Sequence, residues 1–147
     1  MSQGNTTASD LSPESEKTMD KVITVFLLDD DDFLLDMYSV KFKSSGFSVE
    51  SSKSTDDALN KLKGGFRPDI MLLDVVMPKM TGLEFLEALK TEGIIGKFPI
   101  IILSNLGQKD DIDKGIKLGA SDYIVKANFT PTEVVEKIKS VLERKRA

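Results

Sequence analysis

The amino-acid sequence predicts an α/β fold in which helices cover both faces of a doubly wound, five-stranded parallel sheet. Two observations lead to this prediction. Short runs of almost entirely apolar residues recur along the chain, and such runs are typical of strands buried on both faces. Segments with apolar residues at helical spacing lie between these runs, joined by short connections. Regular alternation of this kind is typical of a parallel sheet with crossover helices.

Four of the predicted strands are apolar runs, and the first of them stops at consecutive aspartates. A weaker run alternates polar and apolar residues, which is typical of an edge strand. The predicted strands cover residues 22–28, 47–51, 69–73, 98–103 and 122–125, the second being the weaker one.

Helices are predicted after each strand, and two of them begin with a capping sequence. Thr81 and Glu84 form a capping-box pattern, as do Thr130 and Glu133, with Pro131 at the first helical position. The predicted helices cover residues 33–43, 56–63, 81–92 and 110–118, and the last one follows Thr130.

The composition fits one globular domain and excludes several kinds of chemistry. The chain has 147 residues, of which 40% are hydrophobic, and its net charge of −4 disfavours non-specific binding to nucleic acid or membrane surfaces. It contains no histidine, which excludes a Ser-His-Asp triad and the usual zinc sites. It also contains no cysteine, which excludes disulfides, thiol nucleophiles and iron–sulfur clusters. Carboxylates, hydroxyls, lysines or an oxygen-bound metal must carry any chemistry.

The N-terminal segment differs from the rest of the chain. Residues 1–21 are polar and too poor in apolar side chains to offset the cost of ordering, so we expect a disordered tail before a domain at residues 22–147. No signal-peptide pattern or membrane-spanning stretch is evident, and we expect a cytoplasmic protein. Because little sequence follows the last helix, we also expect a stand-alone domain.

Polar residues with complementary chemistry follow four of the predicted strands. Aspartates follow the first strand, Asp74 the third, Ser104 the fourth and Lys126 the fifth. In doubly wound sheets, ligands bind beyond the carboxyl ends of the strands, where these side chains would meet. Clustered carboxylates require nearby positive charge, which Lys126 and a Mg²⁺ ion would supply. A carboxylate is also a nucleophile towards phosphorus, so the pattern indicates a phosphoryl-transfer site.

The motifs at the strand ends match a known pattern in order and spacing. They are Leu28-Asp29-Asp30, the stretch Asp74 to Gly82 in the pattern D-x-x-M-P-x-M-x-G, Ser104-Asn105, Gly119-Ala120-Ser121-Asp122-Tyr123 and Lys126. Over roughly residues 22–142, the sequence resembles a response regulator receiver domain, the CheY-like type found in bacterial two-component systems. The resemblance implies a flavodoxin-like (βα)5 fold with the strand order 2-1-3-4-5.

The resemblance also implies roles in phosphoryl transfer. Asp74 would be the phosphoacceptor, and Lys126 would pair with Asp74 before transfer and with the phosphoryl group afterwards. Ser104 would bond a phosphoryl oxygen and shift when the group arrives. Tyr123 would be the rotating aromatic residue coupled to that shift.

Mg²⁺ is the implied cofactor. The implied ligands are Asp29, Asp30, Asp74 and the backbone carbonyl of Val76. Asp30 would bind the metal directly and Asp29 through a water molecule. Asp31 and Asp32 are instead predicted to cap the first helix and to complement its dipole.

Two positions depart from the family pattern. Ala127 follows Lys126, where the family usually has a proline in a cis peptide bond, so the geometry of this bond is left open. Val76 offers no polar side chain to the phosphoryl site, and we expect it to change the rate at which water attacks an acyl phosphate.

The partners implied by the resemblance are proteins. Because the chain has no histidine, a sensor histidine kinase or a phosphotransfer protein must donate the phosphoryl group. The output would be contact with a downstream protein through the surface of the fourth helix, the fifth strand and the fifth helix, with no direct nucleic-acid or membrane binding. We expect a monomer or a phosphorylation-dependent dimer. We also expect no enzyme activity beyond self-phosphorylation and self-dephosphorylation.

Three alternative functions use the same fold. A phosphate-independent pseudo-receiver would act as a binding module, but all the acidic, hydroxyl and lysine positions are filled. A Mg²⁺-dependent phosphatase with an aspartate nucleophile would need a second carboxylate where Val76 lies. A flavodoxin-type electron carrier would not place consecutive aspartates beside a flavin phosphate.

Overall fold

The structure is a computed structural model that describes residues 21–77 and 79–146. Its centre is a five-stranded sheet in which all strand pairs are parallel and the order is β2-β1-β3-β4-β5. The strands are β1 (Thr24–Leu28), β2 (Ser48–Ser52), β3 (Ile70–Asp74), β4 (Ile100–Ser104) and β5 (Asp122–Val125). Both the predicted fold class and the predicted strand order are therefore confirmed.

Each strand is followed by an α-helix, and a short 3-10 turn at Lys126–Asn128 separates β5 from the last one. The helices are α1 (Asp32–Ser44), α2 (Thr55–Lys63), α3 (Gly82–Thr91), α4 (Lys109–Leu118) and α5 (Pro131–Arg146). The capping box of Thr81 and Glu84 is present at the start of α3. Thr130 and Glu133 exchange the same two hydrogen bonds at the start of α5.

The hydrophobic core forms two layers, one on each face of the sheet. Successive side chains of a strand point to opposite faces, so each central strand contributes to both layers. In β4, Ile100 and Ile102 belong to the layer that includes residues of α2 and α3, whereas Ile101 and Leu103 belong to the layer that includes residues of α1 and α5. This burial on both faces explains why the strands are nearly continuous apolar runs.

The strand ends differ from the predicted ones because pairing, rather than hydropathy, defines them. The first strand begins at Thr24 and not at Val22, since Thr24 is the first residue of β1 that pairs with β2. The fourth strand begins at Ile100, because Pro99 has no N–H to donate and contributes only its carbonyl, to the N–H of Met71. The predicted tail, residues 1–21, lies outside the described residues except for Lys21.

Among residues 21–77 and 79–146, none of the helices combines the length and the apolar character that crossing a lipid bilayer requires.

Candidate functional site

Three aspartates from two strand ends form an acidic pocket at the carboxyl edge of the sheet. Asp29 follows β1 directly and is fully buried, Asp74 is the last residue of β3 and is 5% exposed, and Asp30 is exposed at the rim. One carboxylate oxygen from each of these residues lies within 4.8 Å of the others. The acidic pocket, defined here as Asp29, Asp30 and Asp74, thus brings together three predicted site residues.

Backbone N–H groups fix the two buried carboxylates. Oδ1 of Asp29 accepts a hydrogen bond of 3.0 Å from the N–H of Asp31. Oδ1 of Asp74 accepts one of 3.0 Å from the N–H of Val76. In each case the N–H belongs to the second residue after the aspartate, so the turn after the strand orients the carboxylate. The other oxygen of each carboxylate, Oδ2, is left to contact Lys126.

Lys126 contacts both buried carboxylates of the pocket. Its Nζ lies 3.3 Å from Oδ2 of Asp29 and 3.4 Å from Oδ2 of Asp74. It is the first residue after β5, and because β1, β3, β4 and β5 all run parallel, it lies at the same edge of the sheet as the aspartates. Lys126 contacts two of the three carboxylates, and its single positive charge leaves the pocket with an excess of negative charge that favours a cation.

Burial and the neighbouring charges together shift the pKa values of Asp74 and Lys126. Burial raises the pKa of Asp74 to about 6, and the nearby Asp29 carboxylate acts in the same direction, while the N–H of Val76 and the Lys126 ammonium oppose the rise. Burial lowers the pKa of Lys126, but Asp74 and Asp29 outweigh this effect and hold it above its ordinary value. The protein thus has to stabilise a buried carboxylate whose charge is costly without a metal.

The donor set of the pocket fits Mg²⁺. Mg²⁺ is a hard cation that prefers oxygen ligands and is usually held by a few carboxylates together with water or phosphate oxygens. Asp29, Asp30 and Asp74 offer only oxygen donors, and the excess negative charge of the pocket provides the electrostatic attraction. Val76 is 50% exposed and contributes no side-chain ligand, and its carbonyl as a ligand stays a prediction.

Ser104 and Tyr123 lie close to the pocket in the fold but do not contact its carboxylates. Ser104 is the last residue of β4, is fully buried, and donates a hydrogen bond of 3.3 Å to the carbonyl of Ile124. Tyr123 is 44% exposed on the edge strand β5 and lines a surface groove of about 320 Å³ together with residues of the β4–α4 loop and of α4. Coupling between these two residues therefore stays a prediction.

The other predicted positions near the site have clear structural roles. Asp31 caps α1 by accepting hydrogen bonds from the N–H groups of Phe33 and Leu34, and Asp32 lies in the first turn, as predicted. The peptide bond between Lys126 and Ala127 is trans, since none of the peptide bonds in the described ranges is cis.

Two residues near the site were missed by the sequence analysis. Gly82 was noticed only as part of a motif, but its N–H bonds the carbonyl of Val75, and a side chain there would collide with the backbone after β3. Tyr38 lies within the predicted first helix and was given no role there, yet it is buried in the core, and burial raises its pKa against a smaller effect of the Lys126 charge. The available signal was a tyrosine on a buried helical stripe, because its hydroxyl needs a polar partner.

The family model of the response regulator receiver domain matches residues 25–139. The chain belongs to this family. It is 32% identical over 120 residues to the phosphate regulon transcriptional regulatory protein PhoB of Escherichia coli, which covers 82% of this chain and 52% of PhoB. It is 31% identical over 120 residues to the alkaline phosphatase synthesis transcriptional regulatory protein PhoP of Bacillus subtilis, which covers 82% of this chain and 48% of PhoP. The chain thus spans about half the length of these curated relatives.

Solved structures of receiver domains have the same fold. The chemotaxis protein CheY4 of Vibrio cholerae superposes with a TM-score of 0.74 at 28% identity, covering 82% of this chain and 99% of that one. The receiver domain of the Francisella response regulator 1452 gives a TM-score of 0.74 at 26% identity, covering 84% and 98%. The chain is therefore a signalling module of the two-component type, homologous to bacterial regulators. Receiver domains bind Mg²⁺ at an acidic pocket, and the three aspartates provide such a pocket here.

Proposed function

We propose that this receiver domain accepts a phosphoryl group on Asp74 from the phosphohistidine of a sensor histidine kinase or a phosphotransfer protein. The observation that carries the proposal is the position of Asp74, buried at the end of β3 with its Oδ2 facing Lys126 and beside two further carboxylates. A structural aspartate at a strand end would not need this surrounding charge.

The transfer step follows from the groups around Asp74. An oxygen of the Asp74 carboxylate attacks phosphorus, the bond between phosphorus and the donor's histidine nitrogen breaks, and the nitrogen keeps the electron pair. Lys126, already 3.4 Å from Asp74, would bind an oxygen of the incoming group. Ser104 would bind another oxygen through its hydroxyl, after releasing the carbonyl of Ile124.

The metal site complements these residues. Asp30 would hold Mg²⁺ directly, Asp29 through water, and Asp74 and the Val76 carbonyl would complete the protein ligands. When bound, Mg²⁺ would neutralise charge on the carboxylates and on the phosphoryl oxygens. The role of Asp29 is then also to keep Lys126 charged and in place before transfer.

The output we propose is a regulated protein contact. Tyr123 would change position after Ser104 moves and would alter the surface formed by α4, β5 and α5, where it already lines a groove. Receiver domains are generally non-enzymatic signalling modules, and self-phosphorylation and self-dephosphorylation are the chemistry proposed for this one. The named relatives are transcriptional regulatory proteins of about twice the length. For this chain we propose a cytoplasmic protein, monomeric or dimerising on phosphorylation, without direct nucleic-acid contact by the receiver domain.

The decisive experiment measures intact mass after incubation with acetyl phosphate. We expect one added phosphoryl group on the wild type when Mg²⁺ is present, and none with EDTA or in Asp74→Ala. The matched control is Asp32→Asn, which removes an exposed carboxylate near the pocket and should leave incorporation unchanged. If the wild type gains no mass in any condition, the chain is a phosphate-independent binding module and the proposal fails.

A second prediction concerns the lifetime of the phosphorylated form. Val76 is half exposed beside Asp74 and has no group that could orient an attacking water. We expect Val76→Asn to change the decay rate of the phosphorylated protein by about threefold or more, since an amide can position water or bond a phosphoryl oxygen. Loss of the added mass over time, after removal of acetyl phosphate, measures this rate. Equal rates for both proteins would show that the side chain at this position is irrelevant.

A further inference from the structure

The end of β2 holds Asp29 through a backbone hydrogen bond. β2 is an outer strand of the sheet, and its last residue, Ser52, lies opposite Leu28 in the register with β1. One residue further along the chain from Leu28, the N–H of Asp29 donates a hydrogen bond of 3.2 Å to the carbonyl of Ser52. The ladder between β1 and β2 therefore continues into the acidic pocket, and the position of Asp29 depends on where the end of β2 is held.

A side chain of α2 bonds this end of β2. Ser52 is 3% exposed, and its hydroxyl donates a hydrogen bond of 2.6 Å to Oδ2 of Asp57. A hydroxyl that bonds an ionised carboxylate at this distance makes one of the stronger hydrogen bonds in proteins. Two residues separate β2 from α2, and the hydroxyl of Ser54 accepts the N–H of Asp57 at 3.1 Å. The start of α2 thus directs the Asp57 carboxylate back onto the strand that precedes it.

Lys61 holds the same carboxylate and the same strand. Its Nζ lies 3.1 Å from Oδ2 of Asp57. It also lies 2.8 Å from a carboxylate oxygen of Glu50 and 2.8 Å from the carbonyl oxygen of Ser51, both in β2. These three partners match the three N–H donors of an ammonium group. The hydroxyl of Ser52 lowers the pKa of Asp57 most, Lys61 lowers it further, and burial opposes both, so Asp57 is an ionised acceptor at neutral pH.

The position of Asp29 matters because both of its carboxylate oxygens have fixed partners. Oδ1 accepts the N–H of Asp31 at 3.0 Å, and Oδ2 lies 3.3 Å from Nζ of Lys126. Mg²⁺ demands near-ideal octahedral geometry, and the groups that orient its ligands contribute to its affinity. We propose that the hydrogen bond between Ser52 and Asp57 positions Asp29 for Mg²⁺. Ser52 and Asp57 are then positioning residues that act through the backbone of Asp29.

The expected effect of losing this hydrogen bond is local. Without the hydroxyl of Ser52, the end of β2 would lose its attachment on the side away from β1, and its carbonyl could move away from the N–H of Asp29. Lys61 would still bond the carbonyl of Ser51, so β2 should stay in the sheet. The role in metal binding rests on the proposed function, in which Asp29 holds Mg²⁺ through water, whereas the support of the Asp29 backbone does not.

The first test measures hydrogen exchange of the Asp29 amide by NMR in EDTA. Ser52→Thr and Ser52→Val form a matched pair, because both side chains are β-branched and only threonine keeps the hydroxyl. We expect the Asp29 amide to exchange about fivefold faster in Ser52→Val than in Ser52→Thr. The amide of Met71, which bonds the carbonyl of Pro99, is the reference and should exchange equally in the two variants. Equal exchange at Asp29 would overturn the support of Asp29 by this contact.

The second test titrates Mg²⁺ against the same pair and follows the backbone amides by NMR. We expect the dissociation constant of Mg²⁺ to be about fivefold higher in Ser52→Val than in Ser52→Thr, less than for a side chain that bonds a metal ligand directly. Asp57→Ala should differ from Asp56→Ala in the same way. Asp56 is the matched control, because both carboxylates lie in the first turn of α2 and their loss affects the helix dipole alike.

The outcomes separate the positioning role from the proposed function. If the wild type binds Mg²⁺ and the dissociation constants are equal within either pair, the positioning role is overturned and the proposed function stands. A wild type that binds no Mg²⁺ would overturn both the positioning role and the metal site of the proposed function. Faster exchange at Asp29 in Ser52→Val together with weaker Mg²⁺ binding would support the proposal.

Discussion

Asp74→Asn is expected to be more stable than the wild type when Mg²⁺ is absent, by about 2 kcal/mol near pH 7.5. The carboxylate of Asp74 is buried beside Asp29, and its raised pKa shows that its charge opposes folding. The rise from 3.8 to about 6 corresponds to about 3 kcal/mol at most, at about 1.4 kcal/mol for each tenfold change in acidity. Asparagine keeps an oxygen that can accept the N–H of Val76, so the replacement removes the charge and preserves the turn.

The sign of the pH dependence follows from the same pKa. The folded chain holds the proton of Asp74 more tightly than the unfolded chain does, so the wild type loses stability as the pH rises from about 4 through about 6. Asp74→Asn has no such group. The difference between the two proteins should therefore be largest above pH 6, should shrink as the pH falls towards 4, and should vanish only below about pH 3, where Asp74 is protonated in both states.

Urea unfolding at several pH values in EDTA measures this difference. Asp32→Asn is the control, because Asp32 is exposed, pairs with Lys53 and lies in the first turn of α1, so its loss should not stabilise the fold. Mg²⁺ should raise the stability of the wild type more than that of Asp74→Asn, and thus reduce the gap. A variant no more stable than the wild type at pH 7.5 would mean that Lys126 fully compensates the buried carboxylates.

The sequence predicted the convergence at this pocket because parallel strands obey a simple rule. Once Asp74 and Lys126 were recognised as following buried strands, both had to lie at the carboxyl edge of the sheet. The caps at Thr81 and Asp31 were equally predictable, since capping depends on residues close in sequence. These features need no knowledge of how distant elements pack.

The features that were missed depend on packing between elements. The place of Tyr38 in the core layer that α1 shares with α5 depends on how these helices pack on the sheet, and apolar spacing marks only which face of α1 is buried. The hydrogen bond from Ser104 to the carbonyl of Ile124 depends on the register of β4 and β5, which the sequence does not encode locally. The close approach of Gly82 to the backbone at the end of β3 also depends on packing, because only the folded chain brings the start of α3 this close to Asp74 and Val75.

Gly82→Ala is expected to destabilise the fold by about 2–3 kcal/mol, towards the upper end of the usual cost of overpacking. A Cβ atom at Gly82 would lie 2.6 Å from the Cα of Val75 and 2.7 Å from the carbonyl oxygen of Asp74. These are backbone atoms and cannot rotate away. They are also fixed, because the N–H of Val75 bonds the carbonyl of Leu103 and the carbonyl of Val75 accepts the N–H of Gly82. The gain in helix propensity from alanine, about 1 kcal/mol, offsets only part of the strain.

A Cβ atom at Gly82 would push on the backbone of Asp74, so we expect Gly82→Ala also to slow phosphoryl incorporation. Urea unfolding measures the loss of stability. Intact mass after acetyl phosphate treatment measures the incorporation of phosphoryl groups. Gly64→Ala is the matched control, because Gly64 lies at the exposed end of α2 and a Cβ there would come no closer than 3.2 Å to the nearest contacting atom. For this variant we expect the free energy of unfolding to change by no more than about 0.5 kcal/mol and phosphoryl incorporation to stay the same. If Gly82→Ala behaved like Gly64→Ala, the close approach of α3 to the end of β3 would not constrain the site. With the expected result, this glycine is required because α3 packs directly on the backbone at the end of β3, which holds Asp74.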